Sequence, residues 1–297
     1  MGPLHGGRGT NHLLQLPRAD GVSHRTVAAR GPRFHVAEAG AGEPIVLLHG
    51  WPQHWWTWRH MVKLLALHAR LVMIDLRGFG WSDAPSVGYD KQTMADDVLV
   101  VLDELGLRRV CLVGHDWGAW IGFLACGSAP ERFEAFLALG SPRPAGRPPA
   151  RHLRHVWRFA YQVVLASPAL GRRLIANERF IARVIAAGAV RRDAWTREDV
   201  RAFTAVLAEP ARARASVRLY RTFLTREVGR TSGGRLPVPT RIMVGAGDPA
   251  IRPFLLEGAE RGADDLAVEI VPDCGHFVPE EQAALVAQRA RALFGLH

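Results

Sequence analysis

The chain has 297 residues, is 48% hydrophobic and carries a formal net charge of +10. That length and apolar content suffice for a full hydrophobic core in one large domain or two, and exclude a disordered polar chain. The charge is concentrated, because residues 141–240 hold 20 Arg and 6 acidic residues, a net +14 that leaves −4 elsewhere. Lys63 and Lys91 are the only lysines, and aromatics do not interleave with the arginines as a nucleic-acid groove requires. A solvated helical face is expected, with no nucleic-acid partner.

The first twenty residues, MGPLHGGRGTNHLLQLPRAD, lack the apolar core and small-residue cleavage site of a signal peptide. They read as a loose tail, residues 1–20, on a cytoplasmic protein. No stretch reaches the roughly 18 uninterrupted apolar residues that span a bilayer. Cys111, Cys126 and Cys274 are odd in number and lack metal-ligand spacing, so each reads as a packing residue.

From residue 22 onward, short β-like runs alternate with helical patterns, which predicts an α/β fold with a mostly parallel sheet. Strands are predicted at 22–29, 33–39, 44–48, 71–75, 109–113, 135–139, 239–244 and 267–271. The run PIVLLHG is continuously apolar, as a strand buried on both faces must be. Helices are predicted at 54–67, 92–105, 117–127, 251–261 and 279–294. Between the sixth and seventh strands, SPRPAGRPPA opens and TSGGRLPVPT closes an Arg/Ala/Leu-rich helical region without a convincing strand. It reads as an insertion, residues 141–235, covering one end of the sheet like a lid. The core is then 21–140 and 236–297.

In open α/β sheets, ligands bind beyond the carboxyl ends of the strands. There the sequence reads HGWPQHW, DLRGFGWSD, GHDWG, GAGDPAI and VPDCGHF. Three of these turns supply Asp116, Asp248 and His276, in the chain order nucleophile, carboxylate, histidine. The turn Gly114-His115-Asp116-Trp117-Gly118 has the small-x-nucleophile-x-small form of a nucleophile elbow, with Asp in the place of Ser. A lone Asp after a strand is more often a helix N-cap, and that bland reading applies to Asp248 before PAI. Three such turns, in order and on separate strands, are harder to obtain by chance. Asp75 and Arg77 are expected to form a structural ion pair beside the site.

At HGWPQHWWTWR, DLRGFGWSD, GHDWG and CGHFVPE the chain resembles the α/β hydrolases of the epoxide hydrolase group, which includes the related haloalkane dehalogenases. The resemblance implies an eight-stranded, mostly parallel sheet with helices on both faces and an inserted helical lid. It implies a cis Trp51–Pro52 bond that aims the Trp51 N–H at an oxyanion site, with the Trp117 N–H as second donor. His49, Pro52, Phe79 and Phe277 would line a substrate pocket, with Trp55 contributing to the aromatic supply nearby. Asp is already ionised at neutral pH, which suits attack at an sp³ carbon and formation of an alkyl ester. Water activated by His276 would hydrolyse that ester, with Asp248 orienting the imidazole. The family also uses two lid tyrosines as acids, which match Tyr161 in FAYQVVL and Tyr220 in VRLYRTF.

The implied reaction opens an apolar epoxide with water to a vicinal diol and needs no cofactor and no metal. A haloalkane dehalogenase would share Asp116 and His276 but bind halide through ring N–H donors, Trp117 with Trp157 or Trp195. A non-catalytic ligand-binding homologue is a third reading, favoured by an incomplete triad. The sequence leaves open the physiological substrate and the choice between monomer and homodimer.

Overall fold

A computed structural model describes residues 15–144, 157–230 and 234–296. The first fourteen residues of the expected tail, most of SPRPAGRPPA and the first three residues of TSGGR lie outside them. All eight expected strands are present: β1 (Ser23–Ala28), β2 (Arg33–Ala39), β3 (Pro44–Leu48), β4 (Arg70–Ile74), β5 (Val110–His115), β6 (Phe133–Leu139), β7 (Thr240–Gly245) and β8 (Leu266–Val271). They form one sheet in the order β1-β2-β4-β3-β5-β6-β7-β8. β2 runs antiparallel to both β1 and β4, and the remaining pairs are parallel.

Alternation along the central strands divides the core. Val46, Leu48, Val72 and Ile74 face one apolar cluster, and Ile45, Leu47, Leu71 and Met73 face the other. Helices α1 (Arg59–Leu65), α2 (Lys91–Glu104) and α3 (Trp117–Ser128) connect the strands. α2 and α3 cover the first cluster through residues such as Val98, Val101, Ile121 and Phe123, while α1 covers the second through Met61, Val62 and Leu65. Asp90 caps α2 by accepting the Thr93 N–H at 2.9 Å.

Between β6 and β7 stand α4 (Ala160–Leu165), α5 (Leu170–Ile175), α6 (Glu178–Gly188), α7 (Arg197–Ala208) and α8 (Pro210–Thr222). α7 opens with a capping box, in which Thr196 and Asp199 bond each other's backbone N–H. α8 runs into a π-turn, Phe223–Glu227. After β8 come α9 (Val278–Glu281) and α10 (Ala283–Phe294), the latter closing the second cluster. Among the described residues no helix is long and apolar enough to cross a membrane.

Three expected helices differ. The 251–261 helix is absent: only a short 3₁₀ turn forms, Pro253–Leu256, followed by Gly258 and Gly262 at φ 76° and 72°. A proline at the start and two left-handed glycines leave too few residues for a helix to propagate. The 279–294 helix is interrupted at Gln282, whose φ of −135° is not helical. The 54–67 helix begins as a 3₁₀ turn, Trp55–Trp58, and is α-helical only from Arg59.

Candidate active site

β5 delivers Asp116 with φ 50° and ψ −117°, a backbone conformation that costs an L residue free energy of order 1–3 kcal/mol. Close packing holds it there. A Cβ on Gly118 would stand 2.1 Å from the Leu48 carbonyl oxygen, so only glycine lets the first turn of α3 press on β3. Gly50, which sequence reasoning did not single out, plays the matching part opposite, where a Cβ would meet the Asp116 Cβ at 2.4 Å. The Asp116 N–H donates to the Leu139 carbonyl at 2.9 Å and ties the turn to β6.

The carboxylate meets the groups expected of it. Trp51–Pro52 is cis, and the Trp51 N–H donates to Asp116 Oδ2 at 2.9 Å. The Trp117 N–H opens α3 directly after Asp116 and helps to hold down the carboxylate's pKa. His276 Nε2 lies 3.8 Å from Asp116 Oδ1, and His276 Nδ1 donates to Asp248 Oδ2 at 2.8 Å. Asp248 Oδ1 accepts the Ala250 and Ile251 N–H groups at 2.8 and 2.9 Å. Each Asp248 oxygen is therefore in use, one on His276 and one on the Ala250–Ile251 turn, and with no helix starting there Asp248 is not an N-cap.

Charge follows from these contacts. Burial disfavours an imidazolium at His276, yet the Asp248 carboxylate and then Asp116 outweigh it and push the pKa up to about 9. Burial would raise Asp248, but His276 and the two amides hold it below the usual carboxylate value. Asp116 is raised by burial, with His276 and the Trp51 and Trp117 amides restraining the rise. His115 is buried, which lowers its pKa to about 3, and its Nε2–H donates to the His276 carbonyl at 2.9 Å.

Tyr161 and Tyr220 come together beside the Trp51 and Trp117 rings that flank this carboxylate. Their ring centroids are 6.4 Å apart, and Tyr220 lies 5.3 Å from Trp51 and 5.7 Å from Trp117, edge to face. Burial and the negative charge of Asp116 push both phenols above their ordinary pKa. Tyr161 is 43% exposed, whereas Tyr220 is 2% exposed, so desolvation acts more fully on Tyr220. Phe277 is buried between His276 and Trp195, at 5.2 and 5.1 Å. Pro52 and Phe79 are also buried, Phe79 edge-on to His49.

Other expectations are corrected. His49 faces inward: Nδ1 donates to the Gly50 carbonyl at 2.9 Å and Nε2 accepts the Leu76 N–H at 3.0 Å. Both ring nitrogens are spent on backbone, so His49 braces the turn rather than offering a polar group to a ligand. Trp55 packs in the core cluster beneath, edge-on to His24 and Trp56, away from the carboxylate. Asp75 and Arg77 do not pair. Asp75 bonds His35 at 2.7 Å, and Arg77 grips Asp97 on α2 at 2.6 and 2.5 Å.

Supporting residues escaped the sequence. Glu281 Oε2 accepts the N–H groups of Val190, Arg191 and Gly275, at 2.8, 2.8 and 2.9 Å, and so binds the loop after α6 to the His276 loop. The Trp51 indole donates to Ser216 on α8 at 3.1 Å. Such partners lie far apart in the chain, and only the two carboxylates in HFVPEE gave a local sign. No group of three or more metal-ligating side chains occurs among the described residues. A cleft of about 580 Å³ beside β7, β8 and α10 carries the satisfied pairs Arg241–Asp265 and Arg289–Glu269 and none of the triad.

Residues 43–283 match the family model of the alpha/beta hydrolase fold. A soluble epoxide hydrolase of Corynebacterium sp. (strain C12) is 31% identical, over 92% of this chain and 97% of that protein. The crystal structure of Cfl2 from Burkholderia cenocepacia superposes with a TM-score of 0.83 at 29% identity, covering 94% of this chain and 98% of that one. Epoxide hydrolase VrEH1 from Vigna radiata, at 24% identity, shares the fold with a TM-score of 0.81 over 94% and 99% of the two chains. The chain belongs to the α/β-hydrolase fold family, in its epoxide hydrolase group.

Proposed function

We propose that this hydrolase opens an apolar epoxide to a vicinal diol through an alkyl ester on Asp116. The observation that carries the reading is an aspartate on the strained elbow, held by the Trp51 amide and faced by a His276–Asp248 pair. Asp116 attacks one epoxide carbon and the C–O bond breaks. The departing oxygen takes a proton from Tyr220 or Tyr161, which come together on the lid formed by α4–α8.

Esterification removes the negative charge of Asp116, one of the causes that raise His276 to about 9. The imidazolium becomes more acidic, returns a proton to the phenolate and is now a base. It then deprotonates water, which attacks the ester carbonyl. The Trp51 and Trp117 N–H groups stabilise the resulting oxyanion. Collapse expels the diol and restores the Asp116–His276 ion pair, so the cycle consumes one epoxide and one water. Every step is supplied by side chains, amides and water, without a cofactor.

A dehalogenase needs ring N–H donors for halide. Trp51 spends its indole on Ser216, but the buried Trp195 indole N–H has no partner among the described residues. Purified protein is therefore assayed for diol from styrene oxide and for bromide from a bromoalkane. Diol without bromide is expected. Bromide without diol would replace the reading, and neither product, across a panel of epoxides and haloalkanes, would favour a ligand-binding homologue.

A further inference from the structure

Lys91, one of the chain's two lysines, is fully buried in the first turn of α2. A buried ammonium is tolerated when its hydrogens are accepted and a counter-charge is close. Lys91 Nζ donates to Glu227 Oε2 at 2.8 Å and to the Tyr89 and Leu219 carbonyls at 3.3 Å each. The other Glu227 oxygen accepts the Lys91 N–H at 2.6 Å. Aromatic faces complete the enclosure: Nζ is 4.7 Å from the Trp117 ring centroid and 5.3 Å from that of Phe223.

These neighbours converge on the chemistry from two sides. Trp117 follows Asp116 on the elbow and opens α3, while Leu219 immediately precedes Tyr220. Glu227 ends the π-turn, in which the Val228 N–H reaches back to the Phe223 carbonyl at 2.9 Å. Such turns are rare and concentrate at functional sites. An apolar pair of similar volume would often serve stability as well as a buried ion pair does. The charge thus has a use beyond holding the fold.

We propose that Lys91, with Glu227 as counter-ion, is a positioning residue for ring opening. It clamps the carboxyl end of α8 to the Trp117 ring and so fixes the Tyr220 phenol over Asp116. This inference rests on the epoxide-opening reading and adds where the acid's alignment comes from: the core helix α2, not the insertion alone.

Removing one charge would strand the other, so the informative variant is Lys91→Met combined with Glu227→Gln. It is placed in a His276→Gln background, where the ester accumulates, and Asp116 alkylation by styrene oxide is timed by rapid mixing and intact-protein mass. The expected result is alkylation slowed about tenfold to a hundredfold, as for a displaced catalytic group. The substrate concentration at half-maximal rate should stay within about twofold and the protein should remain folded. With Tyr220→Phe also present, the pair substitution should slow alkylation no further, because the group it positions is gone. An unchanged rate in the folded variant, or equal slowing with and without the Tyr220 phenol, would overturn the inference while leaving the chemistry intact. No adduct in the His276→Gln parent, with the wild type converting the same epoxide, would overturn the covalent reading itself, and the inference with it.

Discussion

Asp75 and Asp116 stand just beyond β4 and β5, the strands that flank β3, yet their carboxylates are left in opposite conditions. Asp75 spends both oxygens. Oδ1 accepts the Trp55 N–H at 2.7 Å, and Oδ2 accepts from His35 Nδ1 at 2.7 Å and the Trp81 N–H at 3.0 Å. Burial opposes its charge, but the surrounding histidines, His35 foremost and then His54 and His49, outweigh it and draw the pKa well below the usual range. Asp116 accepts on Oδ2, while Oδ1 sits 3.8 Å from His276, too far for a hydrogen bond. One carboxylate is saturated and structural; the other, on a strained turn, has an oxygen without a hydrogen-bond partner among the described residues. The contrast locates nucleophilicity in what a partly buried carboxylate has not yet bonded.

The sharpest way to break this contrast is to neutralise each acid in turn. Asp116→Asn should lower turnover by about 10⁴-fold or more while its urea midpoint stays close to wild type. Asp75→Asn puts an amide nitrogen among N–H donors and should cost about 3–5 kcal/mol of stability. Its kcat, measured on folded protein, should fall less than about tenfold. An inactive but fully stable Asp75→Asn would mean that the roles have been assigned the wrong way round.

His276→Gln separates attack from hydrolysis. Asp116 needs no base to alkylate, so intact-protein mass spectrometry should show an adduct of one substrate mass, with steady turnover reduced by about 10³-fold. Unmodified protein, under conditions where the wild type alkylates, would contradict that order of events. Tyr220→Phe should slow alkylation by about 10²-fold, Tyr161→Phe should slow it less, and the pair should nearly abolish it. Full turnover in Tyr220→Phe would remove it from the acid role.

The smallest effect is on stability against pH. His276 has a raised folded pKa, so its contribution is fully present below 6.5 and is lost as pH rises through about 9. Asp75 and Asp248 have lowered values, so theirs is present above about 3.8 and lost on acidification. Thermal melts should therefore fall by several degrees on the alkaline side in the wild type and by less in His276→Gln. An alkaline flank identical in both proteins would assign that loss to another group.

Much of the sheet was legible because its central strands are buried on both faces and read as uninterrupted apolar runs. The elbow was legible because glycines and the acid sit at fixed local offsets. Pairings across the fold were not. Asp75 and Arg77 are two residues apart, but one turns to His35 on β2 and the other to Asp97 on α2, 40 and 20 positions away. His49 was expected in the pocket only from the resemblance, whereas its nitrogens answer to backbone groups at Gly50 and Leu76. Lys91 carried one local sign, being one of only two lysines in an arginine-rich chain, and nothing adjacent named Glu227 or Trp117 as its partners.

The central claim, that Asp116 is a nucleophile and not a base, is tested most directly by oxygen isotope. With enzyme in excess over epoxide in ¹⁸O-water, a single turnover should give diol carrying ordinary oxygen, and the label should appear in the peptide that contains Asp116. Diol already holding ¹⁸O, with an unlabelled Asp116 peptide, would show that water attacks the epoxide directly and would contradict the account.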